Sequence, residues 1–365
     1  MKFRFLNEII LKWENQLIIL LTQPKFRQKK VSKMKNKIRW GVLSTAKIGR
    51  EKVIPGIQKG SNCTVDAICS RNLEQATATA KLLNISKAYG SYEELLNDPE
   101  IDAVYIPLPN NMHVEWAIKA MQAGKHVLCE KPIGVSAAEA LSLLQEAQKY
   151  PQLKVMEAFM YRFHPQWQKV KSLIADDVIG ELKAVQSHFS YFNIDPKNIR
   201  NSLAAAGGAL MDIGCYCVSF SRFLFNEEPT RVVSCIDHDP QWKTDRLTSA
   251  MLDFGDGKIS TFTCSTQLMP YQRVNIFGTN GHIEIEIPVN APKDASSKIW
   301  VRTKTGSEEI IIEAVDQYTI QAESFAKAIL NDSPVSTDLM DAVNNMKVIE
   351  AIFKSSKQNG WEIIG

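Results

Sequence analysis

The first thirty-odd residues have no hydrophobic run long enough to cross a membrane, and the charges of the sequence almost balance. A polar stretch separates the apolar patches Ile9–Leu11 and Leu17–Leu21, so neither reaches the roughly 18 residues that a transmembrane helix needs. Forty-three basic and 40 acidic residues give a formal net charge of +3. That excess is too small to indicate a nucleic acid or a membrane as the main partner, so we expect a small-molecule ligand.

The sequence also lacks any metal-binding or disulfide pattern. The 7 cysteines are an odd number, and none has C-x-x-C spacing or a histidine-rich neighbourhood. This favours reduced thiols in the cytoplasm over disulfides or structural zinc. We therefore predict a cytoplasmic protein without a metal site.

The length of 365 residues is more than one hydrophobic core usually needs, which favours two domains. We predict an N-terminal extension at 1–37, a nucleotide-binding domain at 38–160 and a substrate and dimerisation domain at 161–365. The extension is interpreted as disordered or helical, and Met34 is a possible alternative start. An organelle-targeting segment or a membrane-surface helix is the other interpretation.

From Ile38 onward, segments with strand character alternate with segments of helical character. This alternation predicts right-handed crossovers and an α/β fold with a doubly wound parallel sheet. The predicted strands are Ile38–Ser44, Thr64–Ser70, Ile101–Ile106, His126–Cys129 and Leu153–Phe159; the helices between them are Ile48–Lys59, Leu73–Leu83, Ser91–Leu96 and Met112–Gln122, and a capping box of Ser136 and Glu139 opens another.

The first strand-to-helix turn resembles a dinucleotide-binding loop in which glycines are replaced by other small residues. The G-x-G-x-x-G pattern would fall on Ser44, Ala46 and Gly49, and small side chains still allow a pyrophosphate to approach the helix N-terminus. The predicted cofactor-binding residues of this turn are Ser44, Thr45, Ala46, Lys47 and Ile48.

The second predicted strand ends in Cys69-Ser70-Arg71. An NAD site usually has an acidic residue here, which accepts a hydrogen bond from the ribose 2′-hydroxyl. A hydroxyl from Ser70 and a guanidinium from Arg71 instead favour the 2′-phosphate of NADP, although NAD is also possible. A surface charge at the start of the next helix is the alternative interpretation of Arg71.

The segment Gly124–Pro132 places Glu130, Lys131 and Pro132 directly after a short apolar run. Ligands of open α/β sheets bind at the carboxyl ends of the strands, so a lysine at this position is expected to face a ligand. The alternative is a solvated Glu-Lys pair in a loop.

The segments Ile106–His113 and Ala123–Pro132 resemble the signatures of the glucose-fructose oxidoreductase, inositol dehydrogenase and rhizopine catabolism (Gfo/Idh/MocA) family. The resemblance covers nearly the whole chain from Ile38. It implies an N-terminal Rossmann domain, a C-terminal α+β domain with an open, mostly antiparallel sheet, Lys131 as the catalytic lysine and a cis peptide bond before Pro132. Further expected cofactor contacts are Pro107, Leu108, Asn110, His113, Glu130 and Arg162, of which His113 could instead cap a helix and Arg162 could instead form a structural salt bridge.

The segment Gly207–Cys217 predicts a buried helix that carries Asp212 and Tyr216 four residues apart, on one face. The resemblance assigns the residue four after the aspartate to proton transfer, and a tyrosine there is typical of the glucose-fructose oxidoreductase, xylose dehydrogenase and dimeric dihydrodiol dehydrogenase branches. We hypothesise that Lys131 lowers the pKa of Tyr216, that Tyr216 transfers the proton and that Asp212 orients substrate hydroxyls. An interior tyrosine with a purely structural role is the alternative.

The rest of the chain predicts seven strands with hairpin turns at Asp256-Gly257 and Asn280-Gly281, followed by two amphipathic helices. One uncovered sheet face predicts a homodimer through the C-terminal sheet. The resemblance implies an NADP-dependent oxidoreductase acting on a sugar, a polyol or a dihydrodiol, with specificity set by the loops Asn193–Ala206 and Leu268–Arg273. A non-catalytic NAD(P)-sensing regulator on the same fold is the alternative function.

Overall fold

The computed structural model describes residues 37–365, which build two β-sheets with helices packed around them. The predicted extension at 1–37 lies, apart from Lys37, outside the described residues.

The first sheet has six parallel strands in the order β3-β2-β1-β4-β5-β6. This order confirms the predicted doubly wound Rossmann sheet, in which successive strands are added to one side of β1 and then, from β4 onward, to the other, which opens a crevice at the carboxyl ends of β1 and β4. Its strands are β1 Ile38–Leu43, β2 Cys63–Cys69, β3 Lys87–Tyr89, β4 Ala103–Ile106, β5 His126–Cys129 and β6 Val155–Glu157.

Helices connect these strands, and the caps expected from the sequence are present. The Ser136 hydroxyl accepts from the Glu139 N–H at 3.1 Å, and the Glu139 carboxylate accepts from the Val135 N–H, one residue before the cap. The helices of this half are α1 Ile54–Lys59, which continues a π-helical turn at Gly49–Val53, α2 Leu73–Leu82, α3 Tyr92–Leu96, α4 His113–Gln122 and α5 Ala137–Ala147.

The second sheet has nine strands in the order β14-β13-β12-β11-β7-β10-β9-β8-β15. All neighbours are antiparallel except β7 and β10, so the expected mostly antiparallel sheet is confirmed. Its strands are β7 Leu182–Phe192, β8 Arg231–His238, β9 Asp245–Gly255, β10 Lys258–Ser265, β11 Gln267–Gly278, β12 Gly281–Ile285, β13 Ser297–Thr303, β14 Gly306–Ile312 and β15 Glu362–Ile363.

Four helices accompany the second sheet, and the last two return to the first sheet. They are α6 Pro165–Ala175, α7 Cys215–Phe225, α8 Gln317–Leu330 and α9 Leu339–Gln358. The ring of Phe325 on α8 lies 5.6 Å from that of Trp40 on β1, and Glu350 on α9 accepts from the Ala137 N–H at 2.7 Å. The core of the first sheet therefore draws on residues near the chain's end, and the division at 160/161 stays a prediction.

Within the described residues, one helical stretch, Leu203–Phe225, is long and apolar enough to span a membrane by length and composition. The protein itself buries 72% of its most apolar window. Burial on this scale is typical of a core helix. This stretch carries Asp212 and Tyr216.

Candidate functional site

The loops that follow β1, β4 and β5 meet at the carboxyl edge of the first sheet. The Ser44 hydroxyl, after β1, donates to the Pro107 carbonyl, after β4, at 3.2 Å. The Asn110 side-chain amide donates across to the Ala206 carbonyl of the second half at 2.9 Å. Segments from both halves of the chain therefore line the crevice at the switch point.

The turn after β1 can hold a dinucleotide. Ser44 has φ of 134°, a backbone conformation that favours glycine, and its hydroxyl accepts from the Ala46 N–H at 3.2 Å. A helical hydrogen bond runs from the Arg50 N–H to the Ala46 carbonyl at 3.0 Å. The N–H groups of Lys47, Ile48 and Gly49 precede that bond and are free to bind an anion, since the first amides of a helix have no intrahelical partner. Small residues and free amides fit a pyrophosphate here.

The end of β2 carries no carboxylate in its three-residue Cys69-Ser70-Arg71 segment. Ser70 is buried and accepts from the Asn72 N–H at 3.2 Å, whereas Arg71 is exposed. This segment fits a ribose 2′-phosphate better than a free 2′-hydroxyl, because its own charged side chain, Arg71, is a cation.

Lys131 follows β5 and precedes a cis peptide bond to Pro132, as expected. Its ammonium donates to the Asp212 backbone carbonyl at 2.6 Å and to Asp212 Oδ1 at 3.3 Å. Burial lowers the pKa of Lys131, but the Asp212 carboxylate, together with Cys215 and Glu130, outweighs that effect and the pKa is raised overall. Lys131 is therefore a buried, charged ammonium.

Asp212 lies in a π-helical turn, Leu210–Gly214, that leads directly into α7. Such insertions are often found at functional sites. Its Oδ2 accepts from the Tyr191 hydroxyl at 2.6 Å and from Arg200 Nε at 2.7 Å. Burial raises the pKa of Asp212, but Arg200, Lys131 and the hydrogen bond from Tyr191 together outweigh it and hold that pKa well below its usual range. Three protein donors therefore hold an ionised carboxylate.

Tyr216 contacts Lys131 through its ring. The Lys131 ammonium lies 4.9 Å from the ring centroid, while the Tyr216 hydroxyl donates to Met160 Sδ at 3.4 Å. Burial raises the pKa of Tyr216 well above its ordinary value, and the nearby Glu130 raises it further. The expected lowering of this pKa by Lys131 is wrong for this arrangement, because desolvation of the phenolate dominates.

The other predicted cofactor residues have varied positions. Pro107 and Leu108 are buried at the end of β4. His113 is also buried, with its two ring nitrogens 2.7 and 2.8 Å from the Pro132 and Leu108 carbonyls. Its ring thus ties the loop after β4 to the loop that carries Lys131.

Glu130 and Arg162 are both engaged within the protein. Glu130 accepts from the Tyr105 hydroxyl at 2.7 Å, and burial raises its pKa. Arg162 forms an ion pair with Asp341 at 3.0 Å, which is the structural alternative considered for it. Contact of either residue with the cofactor stays a prediction.

Sequence reasoning missed Tyr191, Arg200 and Asp245. Tyr191 and Arg200 precede Asp212 by 21 and 12 residues in the chain, so no local pattern connects them. Asp245, on β9, accepts from the Leu210 N–H at 2.6 Å and so caps the helix that carries Asp212 and Tyr216. Its oxygen would lie 1.9 Å from a Cβ at Gly208, so glycine is required there.

A Rossmann sheet with a dinucleotide turn, and a lysine at its carboxyl edge, define an NAD-binding oxidoreductase fold. Residues 38–159 match the oxidoreductase family with an NAD-binding Rossmann fold, and residues 167–284 match the GFO/IDH/MocA C-terminal domain. The chain belongs to the GFO/IDH/MocA oxidoreductase family, and it is an enzyme of that class.

Two curated relatives and one solved structure show the same similarity. A D-xylose 1-dehydrogenase (NADP(+)) from Haloferax volcanii is 35% identical, covering 87% of this chain and 97% of its own. A trans-1,2-dihydrobenzene-1,2-diol dehydrogenase from Xenopus laevis is 35% identical, covering 68% and 74%. KijD10, a 3-ketoreductase from Actinomadura kijaniata solved with NADP and TDP-benzene, has a TM-score of 0.83 and 26% identity, covering 88% and 98%. These relatives confirm the branch expected from the sequence.

Proposed function

We propose that the protein is an NADP-dependent oxidoreductase that transfers a hydride between the nicotinamide and a carbinol carbon of a sugar, a polyol or a dihydrodiol. Tyr216 transfers the proton, and Lys131 assists it. The observation that carries this proposal is the contact of the Lys131 ammonium, from the edge of the first sheet, with the Tyr216 ring of the second half, 4.9 Å from its centroid.

Lys131 keeps one donor for the substrate. An ammonium has three N–H groups, and two of them reach the carbonyl and the carboxylate of Asp212. The third can donate to the reacting oxygen and stabilise the negative charge that develops on it during reduction of a carbonyl.

Tyr216 is suited to donate a proton in the reductive direction. Its raised pKa keeps the phenol protonated, and the weak sulfur acceptor at Met160 is easily exchanged for a substrate oxygen. The bound coenzyme supplies or accepts the hydride. In the oxidative direction the phenolate must form first, and the raised pKa of Tyr216 opposes that step.

Two observations support NADP. The Ser70 and Arg71 position lacks a carboxylate that would repel a phosphate. The Haloferax relative is an NADP(+) dehydrogenase by name, and KijD10 was solved with NADP. The relatives' names likewise support a sugar or dihydrodiol substrate. The cytoplasmic location stays a prediction.

The test is a panel of aldoses, inositols and dihydrodiols with NADP and NAD, followed by the absorbance of the reduced nicotinamide. Tyr216→Phe and Lys131→Met should each lower kcat by about 10²–10⁴-fold and leave NADPH binding, followed by its fluorescence, nearly unchanged. Lys149→Met, at an exposed position, and Tyr150→Phe, at a half-buried position, are matched controls just after α5. Near-normal turnover in Tyr216→Phe refutes the role of Tyr216, and cofactor binding without turnover on any substrate favours the regulatory alternative.

We also propose a homodimer through the outer face of the second sheet, the face that carries Met251, Ile259 and Phe277. These large apolar side chains are 37%, 39% and 38% exposed, and they lie on β9, β10 and β11. An exposed apolar face of this kind is typical of a subunit interface. Met251→Glu should shift the protein to monomers in light scattering after size exclusion, and an unchanged mass would contradict this interface.

A further inference from the structure

Arg200 is a charged residue at the site, and the mechanism proposed above does not use its terminal nitrogens. Its Nε donates to Asp212 Oδ2 at 2.7 Å. Among residues 37–365 no hydrogen bond is found for its Nη1 or Nη2, and the side chain is 40% exposed. The guanidinium therefore binds the protein by one edge nitrogen and leaves four N–H groups for a ligand.

The backbone around Arg200 is fixed. Asn198 Oδ1 accepts from the Arg200 N–H at 3.1 Å, and the Arg200 carbonyl accepts from the Gly208 N–H at 2.8 Å. A Cβ at Gly207 would lie 2.4 Å from that carbonyl, so the close approach requires glycine. Arg200 is thus tied to the start of the helix that carries Asp212.

Arg200 also lies on the predicted specificity loop, beside the crevice. Ala206, at the end of that loop, accepts from the Asn110 amide of the first half. The charge of Arg200 contributes to the low pKa of Asp212 and partly offsets the raised pKa of the buried Glu130. The group of Lys131, Arg200 and Asp212 has two positive charges and one negative charge, so its net charge is positive by one.

We propose that Arg200 is a substrate-specificity residue, whose Nη1 and Nη2 donate to a hydroxyl oxygen on the carbon next to the reacting carbinol. This inference rests on the function proposed above. A planar guanidinium with two free nitrogens suits adjacent oxygen acceptors, and aldoses, inositols and vicinal dihydrodiols all carry a hydroxyl at that position. Nε at the same time positions Asp212, and through it Lys131.

The first arm of the test compares the active aldose of the panel with its 2-deoxy analogue, in wild type and in Arg200→Met. A hydrogen bond to a charged group changes affinity by about tenfold to hundredfold. Loss of the 2-hydroxyl should lower wild-type kcat/KM by that factor, and the variant should discriminate less than about threefold. Arg200→Lys, which keeps the charge and loses the fork, should fall between them.

A purely structural role gives a different result. If Arg200 only positions Asp212, the variant lowers kcat equally for both sugars, and the ratio between them stays at the wild-type value; that result overturns the proposal. Arg231→Met is the matched control, since Arg231 is exposed and paired with Asp253 on neighbouring strands. It should keep the wild-type ratio.

The second arm does not depend on turnover. Xylitol and a deoxy analogue are titrated against the enzyme–NADPH complex, with NADPH fluorescence as the readout. If wild type binds xylitol more tightly than the deoxy analogue and Arg200→Met does not, Arg200 binds the substrate hydroxyl. This conclusion holds even if no substrate of the panel is oxidised, a result that would refute only the proposed reaction. Equal binding by both proteins, or no binding of xylitol by wild type, overturns the Arg200 proposal.

Discussion

The free energy of unfolding is expected to fall as the pH rises, and replacing Glu157 by glutamine is expected to remove a large part of that fall. Glu157 ends β6 and is 2% exposed. Its Oε1 accepts at 2.7 Å from the N–H of Ile133, two residues after Lys131, and within the described part of the chain its Oε2 is buried without a hydrogen-bond partner. Burial, followed by the charge of Asp341, raises the pKa of this carboxyl to about 8.

The sign follows from the two pKa values. In the folded state the carboxyl has a pKa of about 8, against 4.5 for the free side chain. Between these two pKa values the folded state holds a proton that the unfolded chain releases. The stability that the protonated carboxyl contributes is therefore complete below the unfolded pKa of 4.5 and is lost as the pH rises to the folded pKa of about 8. At about 1.4 kcal/mol per pH unit, the loss is about 5 kcal/mol in full, of which about 3 kcal/mol falls between pH 6 and pH 9.

Glutamine keeps the acceptor for Ile133 and does not titrate. The free energy of unfolding, measured with urea at several pH values, should therefore decline for wild type by about 3 kcal/mol more than for Glu157→Gln between pH 6 and pH 9. Glu93→Gln, at an exposed position on α3, should decline in parallel with wild type. A constant difference between wild type and Glu157→Gln over this range would show that the carboxyl is not held protonated in the folded protein.

Two further substitutions test how the backbone positions the site. Ser44→Gly relieves a positive φ but loses two hydrogen bonds of the hydroxyl, so its free energy of unfolding in urea should stay within about 1 kcal/mol of wild type. NADPH, followed by its fluorescence, should bind this variant more tightly because the Ala46 N–H is released. Ser44→Ala keeps the backbone strain, and its free energy of unfolding should fall by about 1–2 kcal/mol. Asp245→Ala leaves the Leu210 N–H without its acceptor and should cost about 1–3 kcal/mol in urea, with kcat falling more than KM rises, whereas unchanged kinetics would show that the cap does not position Asp212 and Tyr216.

Much of the first sheet could be predicted because its signals are local. The apolar runs that end at Leu43 and Cys129, and the caps Ser91 and Ser136, each specify structure within a few residues. The short strand β3 and the two-residue β15 were missed, since so few residues carry no readable period. Strand β14 was also missed; its first half reads Gly306-Ser-Glu-Glu, polar because the strand lies at the edge of the sheet.

The site was predicted in part, and the reason is distance along the chain. Lys131, Asp212 and Tyr216 could be proposed from motifs, and the structure brings them together. Tyr191 and Arg200 meet Asp212 only through tertiary folding. The pKa of Tyr216 was misjudged because the sequence shows the nearby cation but not the depth of burial that opposes it.

Asp212 controls the protonation of Lys131, which gives a prediction for the pH dependence of turnover. Burial and the charge of Arg200 lower the pKa of Lys131, and the Asp212 carboxylate, 3.3 Å from the ammonium, is the largest of the groups that raise it, ahead of Cys215 and Glu130. In Asp212→Asn that attraction is lost and the repulsion from Arg200 persists, so the pKa of Lys131 must fall. At an effective dielectric constant of about 20, such a pair contributes up to about 4 kcal/mol, and sharing with Arg200 reduces this.

Because the proposed reaction needs the ammonium, the alkaline limb of the kcat/KM profile should move to lower pH in Asp212→Asn. Asp176→Asn, at an exposed position after α6, should keep the wild-type profile. If kcat/KM in Asp212→Asn falls by the same factor at every pH, Asp212 acts through position alone. The charge on Lys131 would then have to be maintained by another group, of which Glu130, whose own pKa is raised by burial, is the nearest in sequence.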